Sequence, residues 1–354
     1  LQWELRFKAP IRCGFNYDSR GNMVTNRQII LSRLPQGKLS ADHFEIRETE
    51  RPVPAEGEVL LRTLYVALDA ASRAWMHGAT YRAGLASGDL MAGMSLAEVI
   101  ESRSSNLAPG DLVFTETGWQ VFAVVPAQTL TKLPRIEPLS HLVSIYGVPG
   151  LTAYFGLLEC GQPEPGDTVV ISAAGGAVGS IAGQIARIKG CRVVGIAGGH
   201  AKCALLTGEL GFDAAVDYKA GNLLEDLKSA CPDGIDVYFD NTGGEVLDAC
   251  LANMAQYGRI VCCGAVSQYD AGTPGAGPSG FPGQAILKSL TIRGFLLFDF
   301  LGEQERVISE LSGWVNTGQI EVCEDVLEGF DSLPSALVGL LAGENVGKRM
   351  VKVF

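Results

Sequence analysis

The sequence has no apolar run approaching the roughly 18–20 residues that a membrane-spanning helix requires. Its first residues show no compact apolar signal core, so the expected location is the cytoplasm. Nine cysteines include no Cys-x-x-Cys pair, and the four histidines are scattered at 43, 77, 141 and 200. A structural zinc lobe needs several thiolate or imidazole ligands at close spacing, so neither disulfides nor metal is expected. Cys191, Cys250, Cys262 and Cys263 instead lie inside apolar runs, as small hydrophobes would in a reducing compartment. Positive charge is also short, with 28 Lys and Arg against 39 Asp and Glu and a net charge of −11. Such a field repels polyanions, which excludes nucleic acid and anionic membranes as partners. Any phosphate must be held by local groups.

A length of 354 residues with 47% apolar content predicts a soluble protein of two domains. Residues 1–22 have no clear period, and Met23 opens a natural-looking start, so 1–22 are expected to be an extension or tag. From Arg27 the pattern is one of short strands broken by turns, such as "RQIILSRL", "EVLLRTLYVAL" and "DLVFTETGWQVFAVV", which predicts a mostly β, barrel-like domain over 23–145. Over 146–317 the rhythm changes. "VPGLTAYFGLLECGQPEPGD" supplies a helix and turn, and the apolar strands "TVVISA", "RVVGIA", "AAVDY", "DVYFDN", "RIVCCGAV" and "LTIRGFLLF" then alternate with helices at Gly179–Lys189, His200–Leu210, Leu223–Ala230, Glu245–Met254 and Glu303–Trp314. That alternation predicts an α/β fold with a doubly wound parallel sheet covered on both faces. Residues 318–354 read as strand, helix and strand returning to the first domain, and the Gly/Pro-rich stretch 272–283 as a lid-like loop.

The chemistry concentrates in "VISAAGGAVGSIAGQIARIKGCRVVGIAGG", residues 170–199. Gly176 and Gly179 stand between a predicted strand and a helix whose apolar face is Val178, Ile181, Ile185 and Ile188. Without a Cβ the backbone can approach a pyrophosphate, which then meets the free amides at the helix start. The competing reading, that small residues merely let helix and strand pack closely, is weakened by the flanking strands and further βα units. An NAD site would end its second strand on an acid for the ribose 2′-hydroxyl. Here that strand ends Ala197-Gly198-Gly199, with Lys202 beyond, which favours the 2′-phosphate of NADP. Lys202 would equally suit an ordinary solvated helix face.

These residues, with "GVPGLTAYFGLLE", "KCALLTGELGFDAAVDYK", "GIDVYFDNTGGEVLDA", "GRIVCCGAVSQY" and "GENVGKRMVKV", resemble the zinc-independent branch of the medium-chain dehydrogenase/reductase superfamily. That branch includes prostaglandin reductases, leukotriene B4 dehydrogenases, bacterial curcumin reductase and NADP-dependent alkenal/one reductases. The resemblance implies a GroES-like β-rich first domain and a Rossmann domain. It implies NADPH contacts at Thr152, at Gly176, Ala177, Val178 and Gly179, at Lys202 and Tyr218 around the 2′-phosphate, and at Asn241. Further contacts are implied at Cys263, Gly264, Ala265, Val266, Ser267 and Tyr269, at Phe295, Leu296 and Leu297, and at Asn345. Tyr218 would otherwise be a strand-end aromatic packing on the sheet, and Asn241-Thr242-Gly243-Gly244 a plain turn. A homodimer is implied by resemblance alone. The Gly-His-Glu motif of zinc-dependent relatives is missing, and where many relatives carry Asp-Pro-Tyr-Met-Arg this chain has Asp69-Ala70-Ala71-Ser72-Arg73, without the aromatic.

The function expected is NADPH-dependent reduction of the C=C bond of an α,β-unsaturated aldehyde or ketone, with hydride reaching the β-carbon and a proton the α-carbon, without zinc. Tyr269 is the candidate proton or hydrogen-bond donor, unless it only closes the site, and Tyr81 either lines the substrate pocket or simply packs. A quinone reductase on the same scaffold and a non-catalytic NADPH-binding protein are the alternatives.

Overall fold

The computed structural model describes residues 25–269, 277–278 and 280–354. The expected extension at 1–22 and half of the expected lid at 272–283, residues 272–276 and 279, lie outside these residues. The first part of the chain forms β1 (Thr25–Leu31), β2 (Phe44–Glu50), β3 (Glu58–Ala67), β4 (Met94–Ser102), β5 (Leu112–Glu116) and β6 (Phe122–Pro126). β1 and β2 pair antiparallel. β3 is ten residues long and organises the rest: β4 runs along one edge, and β6 pairs with Glu58–Arg62 on the other. A short helix, α1 (Ala71–Ala74), follows β3.

The helix α2 (Val148–Tyr154) leads into the second part and continues as a π-helical stretch, Phe155–Gly161. There β7 (Thr168–Ile171), β8 (Arg192–Ala197), β9 (Ala214–Asp217), β10 (Ile235–Asp240), β11 (Met254–Cys262) and β12 (Thr291–Gly294) form an all-parallel sheet in the order β9-β8-β7-β10-β11-β12. The helices α3 (Ala177–Ile188), α4 (His200–Gly208), α5 (Leu223–Ala230), α6 (Gly244–Asn253), α7 (Val266–Tyr269), α8 (Phe281–Lys288) and α9 (Gln304–Asn316) intervene. Side-chain alternation explains the near-continuous apolar strands. Val169 and Ile171 join the core beneath α2, α3 and α9, whereas Val170 joins a second core with Leu227 and Leu251 of α5 and α6. The sheet order reverses between β7 and β10, the place where doubly wound sheets open a crevice at their carboxyl ends.

The chain then returns to the β-rich part through β13 (Glu324–Glu328), α10 (Leu333–Leu341) and β14 (Lys348–Lys352). β14 pairs with Tyr65–Ala67, the half of β3 that β6 leaves uncovered. Phe330 and Leu337 share a core with Ile29, Leu31 and Trp119.

Two predicted strands end early. β11 stops at Cys262 because the amides of Cys263 and Gly264 both turn back to the Asp240 carbonyl, at 2.8 and 3.0 Å. β12 stops at Gly294 because Phe295 swings its ring into the space left by Gly156, whose Cβ would lie 2.5 Å from it. Cys262 is exposed rather than buried, and its neighbour in β12 is Gly294, which has no side chain to cover it.

Gly183 of α3 faces Phe212, whose ring would lie 1.9 Å from an added Cβ. Gly183→Ala is expected to lower stability by about 1–3 kcal/mol, despite the roughly 1 kcal/mol by which Ala favours a helix. Denaturant unfolding checks this, and Phe212→Leu in the same chain should recover most of the loss.

Candidate functional site

The exits of β7 and β10 are tied together at the crevice. The Asn241 amide donates to Ser172 Oγ at 2.8 Å, and Asn241 Nδ2 donates to the Ser172 carbonyl at 2.7 Å. Asp240, buried beneath, accepts from the amides of Thr242 (2.9 Å) and Gly243 (2.8 Å) and from the Tyr238 hydroxyl (2.7 Å). These bonds give the Asn241–Gly244 turn a fixed shape, and α7 follows it: the amides of Val266 and Ser267 donate to the carbonyls of Asn241 and Thr242. The expected residues Asn241, Gly264, Ala265, Val266 and Ser267 therefore sit in one hydrogen-bonded rim.

The glycine turn lies beside it. Gly176 precedes α3, and Gly179 in its first turn approaches so closely that an added Cβ would lie 2.4 Å from the Ala173 carbonyl oxygen. Ala177 and Val178 thus occupy the helix start, where unpaired amides favour an anion. Thr152 is half-buried in α2, which packs on α3. Asn345 and the glycine turn meet through the chain end: the Gly347 amide donates to the Gly175 carbonyl at 2.8 Å, and Asn345 Nδ2 donates to the Gly347 carbonyl at 2.8 Å.

Gly198 answers the question raised by the missing acid. A Cβ there would lie 2.8 Å from the Tyr218 ring and 2.9 Å from Lys219 Cε, so these two side chains occupy the space an acid would need. Lys219 was not legible as a site residue, because only the fold brings the exit of β9 against the exit of β8. Lys202 Nζ donates to the Gly343 carbonyl at 2.7 Å. Its pKa is lowered, first by burial and then by the nearby cations Lys219 and Arg349. Crowded cations of this kind are relieved by an anion. Arg349 already pairs with Asp325 at 2.8 Å, and Asp217 accepts from the amides of Gly199 and Lys219, so both neighbouring acids are engaged. The donor set fits a dinucleotide carrying a 2′-phosphate.

Tyr269 ends α7, which packs against α1, and Tyr81 lies in the segment after α1. The Tyr269 hydroxyl accepts from the Ala265 amide at 3.4 Å, and the Tyr269 carbonyl lies 2.8 Å from His77 Nε2 of the β-rich part. Burial raises the Tyr269 pKa, which keeps its phenol protonated and a donor at neutral pH. Tyr81, 53% exposed, meets Trp75 edge-on (6.3 Å) and tilts against Phe298 (6.0 Å), just past β12, so it bridges the β-rich part and the segment after β12. Leu296 is exposed and Leu297 half-buried, whereas Phe295 turns its ring toward Gly156.

The histidines do not converge. His43 bonds Ser40, His77 meets Tyr269, His141 packs edge-on to Tyr146 and His200 opens α4. Among the described residues no three His, Cys, Asp or Glu side chains are arranged to hold a metal ion.

Lys202→Ala is expected to weaken NADPH binding by about 10-fold or more while leaving NADH nearly unchanged. Gly198→Asp should act in the same direction by displacing Tyr218 and Lys219 and adding a like charge. Titration of each variant with both nucleotides checks this, and equal losses for the two would remove these residues from the phosphate seat.

A family model described as the N-terminal domain of oxidoreductase matches residues 27–133, and one described as zinc-binding dehydrogenase matches 177–313. Prostaglandin reductase 1 of Bos taurus is 43% identical over 87% of this chain and 93% of its own length. The 2-alkenal reductase (NADP(+)-dependent) of Nicotiana tabacum is 39% identical over 93% of this chain and 98% of its own. The crystal structure of CurA from Vibrio vulnificus in complex with NADPH superimposes with a TM-score of 0.88 at 38% identity, covering 93% of this chain and 99% of that one. Together with the two-part fold and the glycine turn, these matches show that the chain belongs to the medium-chain dehydrogenase/reductase superfamily, in its prostaglandin reductase-like and alkenal/one reductase-like group.

Proposed function

We propose that the protein is an NADPH-dependent reductase of the C=C bond of α,β-unsaturated aldehydes and ketones, working without zinc. The observation that carries the cofactor is the filling of the Gly198 space by Tyr218 and Lys219, with Lys202 beside them. The reaction class rests on the group to which the chain belongs. When bound, the nicotinamide supplies the hydride.

The chain's own residues have three tasks. The glycine turn, the α3 amides and the Lys202, Tyr218 and Lys219 cluster bind the nucleotide and set its direction along the crevice. Tyr81 and Phe298, exposed and tilted 60° to each other, give the alkene an aromatic surface backed by the buried Trp75, which orients it and excludes water. Tyr269, held protonated by burial, donates a hydrogen bond to the carbonyl oxygen as negative charge builds there. A neutral donor of this kind suffices because the charge on an enolate is spread over oxygen and carbon.

The expected homodimer has a suitable place at β12. This strand closes the parallel sheet with all four residues exposed, beside Ile286 and Leu287 of α8, which are 76% and 75% exposed. We propose that two copies join their β12 edges, satisfying the open backbone groups and covering these side chains. The domain division proposed is 23–145 with 318–354 against 146–317.

NADPH oxidation followed against enals, enones, quinones and saturated aldehydes, with product identification, tests the function. The expected product is the saturated carbonyl compound, formed equally after exhaustive chelation. In the same assay Tyr269→Phe should lower kcat by about 10–100-fold. Hydroquinone as the main product, or activity lost on chelation, would overturn the assignment. Sedimentation should give twice the chain mass of 37.5 kDa, and Ile292→Lys should shift it toward one chain mass.

A further inference from the structure

Lys348 is almost wholly buried, its side chain 2% exposed, at the start of β14. Its ammonium donates to the Leu68 carbonyl at 2.9 Å and to Asp69 Oδ1 at 2.5 Å. Burying an ammonium is costly, and an apolar side chain of similar volume would usually serve stability as well or better. The charge therefore calls for another explanation.

Its surroundings supply one. Residues 343–348 run from the nucleotide seat to the substrate wall. The Gly343 carbonyl accepts from Lys202, and the Gly347 amide reaches the Gly175 carbonyl. Gly347 takes φ +68°, and a Cβ there would lie 2.0 Å from the Cys323 carbonyl oxygen, so the backbone is fixed where it meets the glycine turn. The next residue is Lys348. Its partner Asp69 is the last residue but one before α1, and its carbonyl accepts the Ser72 amide at 3.0 Å as that helix begins. Beyond α1 lie Trp75, His77 and Tyr81, and the negative charge of Asp69 is felt at the Tyr81 phenol, whose pKa it helps burial to raise.

We propose that Lys348 is a positioning residue that couples the two halves of the site: seating NADPH fixes the strap 343–347, and the Lys348–Asp69 pair passes that order to α1 and the Tyr81 wall. The inference rests on the reading of the glycine turn as the dinucleotide seat. Coupling of this kind is reciprocal, so substrate on the wall also tightens the nucleotide.

Amide hydrogen exchange with and without NADPH tests it in the full-length protein. In the wild type, NADPH should slow exchange at 173–180, at 343–348 and, by about fivefold or more, at 69–77. Lys348→Met should keep NADPH affinity within about threefold and the slowing at 173–180, yet lose the slowing at 69–77. Asp69→Asn should do the same, and the two together should lose no more than either alone. Should the single variants misfold, Lys348→Met with Asp69→Leu removes both charges and reads the same coupling. In turnover the loss should fall on KM for the enal, with Lys348→Arg restoring part of it. Persistence of the 69–77 response in Lys348→Met, or its absence in the wild type, overturns the coupling alone. Absence of any protection at 173–180 overturns the nucleotide seat, and the coupling with it.

Discussion

The bond pair between Asn241 and Ser172 fastens the exits of β7 and β10 at the point where the sheet order reverses. Everything else at the site is referred to that fastening. It holds the glycine turn on one side and the Asn241–Gly244 turn on the other, and through the latter it sets α7 and Tyr269. Buried backbone groups need partners, and these bonds supply them at the exits of β7 and β10 while leaving the amides at the α3 start open to an anion.

The proposed preference for NADPH rests on geometry one strand further out. Gly198 lacks a side chain, and β9 delivers Tyr218 and Lys219 into the space this leaves. The same space thus cannot hold both an acid for a ribose hydroxyl and the cations for a phosphate. Lys202, which donates to the Gly343 carbonyl, links the proposed nucleotide seat to the returning end of the chain.

That returning end gives the two-part architecture a physical purpose. β14 needs a partner edge, and β3 offers one only at Tyr65–Ala67, beyond the reach of β6. Laying β14 there carries Gly347 past the glycine turn and Lys348 under Asp69 within two residues. A cleft built this way has its floor stitched by one short segment, while the aromatics proposed for its walls come from separate elements, Tyr81 and Phe298 from the segments after α1 and β12 and Tyr269 from the end of α7.

Much of the parallel sheet was legible because its strands are apolar on both faces and its helices have clear starts. Leu223–Ala230 was read to the residue, and α3 starts two residues before the expected helix and ends one residue before it. The ends of β11 and β12 were not legible, since they stop where distant groups intervene: the Asp240 carbonyl in one case and the Gly156 gap in the other. The sequence by itself determined the glycine turn, the absent acid and Lys202, because these are local patterns of residue type and spacing. Tertiary structure alone decided that Lys219 fills the Gly198 space, that Tyr81 meets Phe298 and that Lys348 lies under Asp69. Each joins residues from separate strands or domains, and no local periodicity encodes which distant side chain will occupy a neighbour's missing volume.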